Sequence, residues 1–194
     1  MKIILASKSG VRKKILDKYK IDSEVIISNV DEDEVKESLI AEGANPRLIS
    51  KNLAEIKSIK VSSKKPDRLV LGADSVISLN EELVNKPNSR EEALKILKKL
   101  NNSKHYLISS VCISKNGAMI WNHTDTSELK MKNLTDEELI KYLSKIKTKT
   151  LLAYGVYQIE DNGLELFEYI NGDKDSIMGL PIKEIKNYID QIKQ

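Results

Sequence analysis

MKIILASKSGVRKKIL, residues 1–16, decides how this chain is read. Residues 2–6 are a short apolar run with the look of a buried strand, and Ser7, Lys8 and Ser9 interrupt it. Val11, Ile15, Leu16 and Tyr19 then recur at helical spacing, so the segment predicts strand, tight loop, helix. Such a junction aims free backbone N–H groups, two serine hydroxyls and the positive end of a helix dipole at one spot. Arg12 and Lys13 add cationic donors in the first turn, which makes an anion site. The plainer reading is a serine N-cap followed by solvated basic residues.

Outward from this unit, strands and helices keep alternating. Val25, Ile26 and Ile27 make a second strand candidate, followed by the acidic run Asp31, Glu32, Asp33, Glu34. Pro46 can open a helix whose face carries Ile49, Leu53, Ile56 and Lys60. Residues 69–77 read as a strand with Asp74 in its middle; Asn80, Glu81 and Glu82 read as a turn. Lys86-Pro87 precedes a helix with Ala93, Leu94, Leu97 and Leu100 on one side. Asn116-Gly117 is a strong hairpin signal between strands at 105–114 and 118–131. Thr135 and Glu138 form a capping box ahead of Leu139, Leu143 and Ile146. Residues 151–159 and 164–170 read as two more strands around Asp161-Asn162-Gly163. Gly179-Leu180-Pro181 opens a last helix with Ile182, Ile185, Ile189 and Ile192 inward. The pattern predicts a mixed α/β fold with some antiparallel strands, and residues 1–194 as a single domain.

Composition narrows the function. Hydrophobic residues are 40% and charged residues 31% of the 194, which suits a packed core and not a disordered chain. Aromatics are 5% and the net charge is +3, from 32 basic and 29 acidic residues. A base-stacking platform or a strongly basic nucleic-acid face is therefore not expected. One cysteine, Cys112, cannot form an internal disulfide and fits a reducing cytoplasm. No window approaches the ~18 apolar residues of a membrane span, and with His105 and His123 as the two histidines a Cys/His metal site is excluded. The expected setting is cytoplasmic, with neither nucleic acid nor membrane as partner.

Three further places could carry chemistry. Asp74 sits inside an apolar stretch, where a carboxylate must be paired, hydrogen-bonded or metal-bound, or else serves as a turn cap at a strand end. Burial of that kind also poises a general base. One acid of the run at 31–34 could face a cleft and share a hard cation with Asp74; most of the run reads as a solvated helix start. Lys57 borders the Leu53/Ile56 stripe and Lys86 precedes a proline, but alone they carry little information. Neither the P-loop pattern nor GxGxxG occurs.

Taken in order, these segments resemble the Maf family of nucleoside triphosphate pyrophosphatases. LASKSGVRKKIL from Leu5 matches its opening motif, Val30-Asp31-Glu32 its acidic triplet, and LAEIKS from Leu53 its lysine helix. Gly72-Ala73-Asp74, Lys86-Pro87, the Ala93/Leu97/Leu100/His105 series, Gly155-Val156-Tyr157 and Ser176 with Gly179-Leu180-Pro181 follow at matching spacing. The resemblance implies an elongated mixed-sheet fold with two lobes around a central cleft, like that of the inosine triphosphate pyrophosphatases. It implies a nucleoside triphosphate as substrate, conversion to the monophosphate and pyrophosphate, a divalent cation (Mg or Mn) as cofactor, and a homodimer. Carried over, Ser7, Ser9, Arg12, Lys57 and Lys86 would hold the triphosphate, Asp74 would be the general base, and Glu32 and Asp74 would stand at the metal. Val11, Ser75 and Glu160 fall where the family's branches differ in base choice, and Gly10-Val11 replaces the family's Pro-Arg. Glu160, where many members carry glutamine, is similar to a branch acting on 7-methyl-GTP. Its two acceptor oxygens suit the paired donors of guanine better than the acceptor-donor-acceptor edge of uracil. The alternative is a non-catalytic nucleotide-binding regulator of cell division.

Overall fold

The computed structural model describes residues 1–159 and 162–192. The opening apolar run forms β1 (Ile3–Leu5), fully buried, and leads through Ser7–Ser9 into α1 (Gly10–Lys18). β2 (Ser23–Val25) lies parallel to β1, a residue or two earlier than the isoleucine pair suggested. The acidic run opens α2 (Glu32–Ala41), capped by Asp31, whose side chain accepts from the Glu34 N–H. α2 buries no residue. α3 (Pro46–Ser62) follows, with Asn45 as N-cap and Pro46 at its first turn.

β3 (Val70–Leu79) is the central strand. Parallel β1 joins it at Val70 and Leu71, and antiparallel β4 (Glu82–Val84) joins it at Ile77 to Leu79. Both lie on the edge opposite β5 (Lys104–Lys115), which pairs with β3 from Val70 to Ser78. Between β1 and β4, residues 72–76 have no strand beside them on that edge among the described residues. The gap is the topological origin of the cleft. β6 (Ala118–Met131) pairs with β5 through the Asn116-Gly117 turn, where both residues have positive φ, and β7 (Phe167–Asn171) pairs with the end of β6. The sheet runs β2-β1-β3-β5-β6-β7, with β4 attached to β3.

Two apolar clusters sit at opposite ends of β3 and β5. One gathers α1, β1 and the final helix α8 (Ile182–Gln191), through Ile15, Leu16, Leu71, Ile113, Ile185 and Ile189. The other gathers α4 (Arg90–Leu100), α5 (Asp136–Ser144) and α6 (Thr148–Tyr154), through Leu97, Leu100, Leu129, Leu139, Leu143 and Leu151. The protein is thus a mixed α/β fold with two lobes on one sheet and a cleft between them.

Three sequence expectations need correction. Residues 151–159 are not a strand: Leu151, Leu152, Ala153 and Tyr154 finish α6, and Gly155 ends it at φ 97°. Leucine and alanine are strong helix formers, and a glycine just past them marks a helix end, but a short apolar run has no period to separate the two states. Residues 162–166 form a 3-10 turn before β7, so that strand is shorter than the 164–170 run and its partner is β6, not the 151–159 segment. Ile192 is exposed, because α8 ends at Gln191 and the inward stripe stops at Ile189.

Candidate active site

α3 and β3 approach each other unusually closely, and glycine is the reason. A Cβ on Gly72 would lie 2.1 Å from the Ala54 carbonyl oxygen and 2.8 Å from the Ser58 nitrogen. Two residues on, and so on the same face of β3, Asp74 meets Lys57 of α3: Nζ donates to Asp74 Oδ1 at 2.7 Å. The same ammonium lies 2.9 Å from Glu32 Oε1 at the start of α2. Lys57 and Asp74 are both buried, at 5% exposure each. Asp74 Oδ2 is also buried and has no hydrogen-bond partner among the described residues. Ser50 steadies the backbone, its hydroxyl donating to the Asp74 carbonyl at 3.2 Å.

Arg12 enters from the other side. Its Nη1 donates to the Ala73 carbonyl at 2.9 Å, at the strand edge left open between β1 and β4, and to Ser7 Oγ at 3.2 Å. Nε donates to the Gly179 carbonyl at 2.9 Å and Nη2 to Ser75 Oγ at 3.1 Å. A guanidinium has five N–H donors, and protein groups engage four of them here. Arg12 is therefore first a strut between the cleft wall and α8's entry loop, with one hydrogen of Nη2 left for a ligand. Gly179, at φ 93°, is itself held in place. α7 (Lys174–Ile177), just before it, is pinned to α1 through Asp175, which accepts from Tyr19 Oη at 2.6 Å and from Lys18, and to β6 by Ser176 donating to Asp125 at 2.5 Å.

The local electrostatics follow from burial against pairing. Burial alone would raise the Glu32 carboxyl, but Lys57, with Lys86 and Lys36 beyond it, holds it below the usual range. Burial lowers the Lys86 ammonium despite the opposing pull of Glu32 and Asp74, and Lys36 and Arg12 lower it further. Burial likewise lowers Arg12 against the attraction of Asp74 and Glu32, and an arginine so placed stays charged.

The cleft holding these groups has a volume of about 990 Å³. The structure brings together Ser7, Ser9, Val11, Arg12, Glu32, Lys57, Asp74, Ser75 and Lys86 on its walls. Ser9 is the N-cap of α1, its Oγ accepting from the Arg12 N–H at 3.4 Å, so the plainer reading of that serine also holds. Glu160 lies outside the described residues. Sequence reasoning missed Lys36, Ser109 and the Gly179 carbonyl. Lys36 stands one turn after Glu32 on α2 and lines the cleft, a spacing visible once a helix over the acidic run is recognised. Ser109 Oγ sits 2.9 Å from Ser75 Oγ, a cross-strand pair of β3 and β5 that no motif announces.

The donor set suits a hard divalent cation. Asp74 offers an unpartnered buried carboxylate oxygen, and Glu32 faces the same space. Among the described residues no group of three or more His, Cys, Asp or Glu comes together, so water and ligand oxygens would complete the shell, as Mg²⁺ prefers.

The chain is similar to known proteins along nearly its whole length. The family model described as "Maf-like protein" matches residues 2–192. A protein of Pelagibacter ubique named nucleoside triphosphate pyrophosphatase is 60% identical over 191 residues, 98% of each chain. One of Brucella abortus named 7-methyl-GTP pyrophosphatase is 35% identical, covering 94% of this chain and 92% of its own. A solved HAM1 protein from Coxiella burnetii aligns with a TM-score of 0.45 at 16% identity, over 69% of this chain and 74% of that one.

Proposed function

We propose that this chain, which belongs to the Maf-like protein family, hydrolyses nucleoside triphosphates to the monophosphate and pyrophosphate in the cleft between its two lobes. Relatives carrying the name nucleoside triphosphate pyrophosphatase at 60% and 37% identity support the reaction. The observation that carries the mechanism is the asymmetry of Asp74. Lys57 fixes Oδ1 at 2.7 Å and leaves Oδ2 buried without a hydrogen-bond partner among the described residues, with its lone pairs uncommitted to any of them.

In this reading Ser7, Ser9, Arg12, Lys57 and Lys86 neutralise and position the triphosphate, which is most of what phosphoryl transfer needs from a protein. Asp74 Oδ2 takes a proton from a water whose oxygen bonds to the α-phosphorus. The bond from that phosphorus to the bridging oxygen breaks, and pyrophosphate leaves with the electron pair. Glu32 and Asp74 would hold a divalent cation, Mg²⁺ or Mn²⁺, which supplies charge neutralisation for the phosphates. Lys57 is balanced between the two carboxylates, at 2.9 Å from Glu32 and 2.7 Å from Asp74. Val11 and Ser75 face the cleft beside Arg12 and bear on base choice, together with Glu160. A homodimer working in the cytoplasm completes the reading.

The test is a pyrophosphate-release assay over GTP, 7-methyl-GTP, UTP and dTTP with Mg²⁺ or Mn²⁺. Turnover that stops in excess chelator is expected, and Glu32→Ala should raise the metal requirement. Binding without release of pyrophosphate from any of these would overturn the reading in favour of a regulator. Full turnover in chelator would remove the cation from it.

A further inference from the structure

α2 presents an odd combination. It buries no residue, yet the side chain of Lys36 on it is 13% exposed, against 90% for Asp33 one turn earlier. Lys36 lines the cleft: Glu32, Lys36 and Ile40, spaced four apart, form one stripe of α2 along its wall. The acid that pairs with Lys36, Asp33, is the solvated one, 3.4 Å away, so the pair is weak. On the cleft side Lys36 shares its space with the ammonium groups of Lys57 and Lys86. Of the charged residues lining the cleft that are not exposed, Arg12, Lys36 and Lys57 are basic and Glu32 and Asp74 acidic, one cation more than anions. Shielding a cation among other cations is unfavourable unless a polyanion completes the set. The mutual repulsion is felt at Lys86, whose ammonium Lys36 lowers.

Resting on the pyrophosphatase reading above, we propose that Lys36, together with Lys86, binds the pyrophosphate portion of the substrate. Glu32, one turn earlier on the same stripe, lies 2.9 Å from Lys57, so the wall that Lys36 extends is continuous with the Lys57–Asp74 pair. The monophosphate portion does not touch Lys36. Arg12, Ser7 and Ser75, linked by hydrogen bonds at the opposite wall, belong to that part.

The test uses inorganic pyrophosphate and GMP as separate probes, titrated calorimetrically in the presence of Mg²⁺ against the full chain and against Lys36→Gln. α2 has no buried residue to disturb, so the variant should melt with the wild type. Loss of one charge-assisted contact should weaken pyrophosphate about tenfold while leaving GMP within twofold. Lys36→Arg should restore most of the loss, since it keeps the charge. Equal binding of pyrophosphate by wild type and Lys36→Gln, or equal weakening of both probes, overturns the proposal, as does a wild type that binds no pyrophosphate. The hydrolytic reading fails separately, by absence of turnover in the wild type, whatever Lys36 does.

Discussion

Two groups of buried or half-buried polar side chains lie along the central strands, and burial treats them in opposite ways. Glu32, Lys57 and Asp74 line the gap between β1 and β4, and each has a partner of opposite charge within 2.9 Å. His105, at the start of β5 and fully buried, has the phenol of Tyr157 at 3.0 Å from Nε2 and aromatic rings of Tyr157 and Phe167 around it. Desolvation pushes its pKa down to about 4 and pushes the Tyr157 phenol up, so both stay neutral at pH 7. The core pair is a packing solution: the Tyr157 phenol meets His105 Nε2, Nδ1 is buried without a hydrogen-bond partner among the described residues, and neither ring carries charge. The cleft cluster keeps two charges, Lys57 and Asp74, buried and a third, Glu32, half-buried, a worse bargain for stability than apolar packing. On that contrast rests the proposal that the first group does chemistry while the second serves the fold.

The largest expected effect comes from removing the shared cation. Lys57→Met leaves two carboxylates facing each other without it and should lower stability by about 3–5 kcal/mol in urea unfolding. Asp74→Asn leaves Lys57 its bond to Glu32 and should lower it by only about 1 kcal/mol. If the two substitutions destabilise equally, Lys57 is not the hub of the cluster.

Acid should then act on the core pair. The folded pKa of His105 is depressed from 6.5 to about 4, so between those pH values the unfolded chain binds a proton that the folded one does not. Stability therefore falls as pH drops through that window, by about 3 kcal/mol from this residue at its lower end. Urea midpoints from pH 7 to pH 4 measure it, and His105→Gln should flatten that part of the profile. An unchanged profile in the variant would break the comparison.

A smaller effect, about 2 kcal/mol, is expected for Gly72→Ala, whose methyl would have to displace the α3 backbone. Because α3 carries Lys57, activity should fall more than a stability loss of that size explains. Ser9→Ala, losing an N-cap, should cost about 1 kcal/mol in thermal unfolding; no shift would mean that the 3.4 Å bond to the Arg12 N–H contributes nothing.

Much of this was legible in the sequence where a residue does one job. The strand–loop–helix opening, the Asn116-Gly117 hairpin, and the Thr135/Glu138 capping box each rest on local chemistry, and all three form. Asp74 stood out because a carboxylate in an apolar run needs a reason. What escaped is non-local. Nothing around Gly72 says that a helix seventeen residues long will lie on it, and Lys57 becomes distinctive only once that contact is made. Arg12 reads as a phosphate ligand at a helix start, yet three of its partners, Ala73, Ser75 and Gly179, are more than sixty residues away in the chain and make it mostly a strut. Residues 151–159 failed for a different reason: seven residues of helix are too few to show a period, and the stop signal at Gly155 was the better guide.

The central claim is that Asp74, fixed by Lys57 through one oxygen and free at the other, is the group that accepts the proton of the attacking water. Steady-state pyrophosphate release by Asp74→Asn, with folding checked by circular dichroism and Mg²⁺ saturating, tests it most directly. Asparagine keeps the shape but cannot take the proton, so kcat should fall about 10²-fold or more. A kcat within a few-fold of the wild type, in a variant that is folded and binds substrate, would contradict the account.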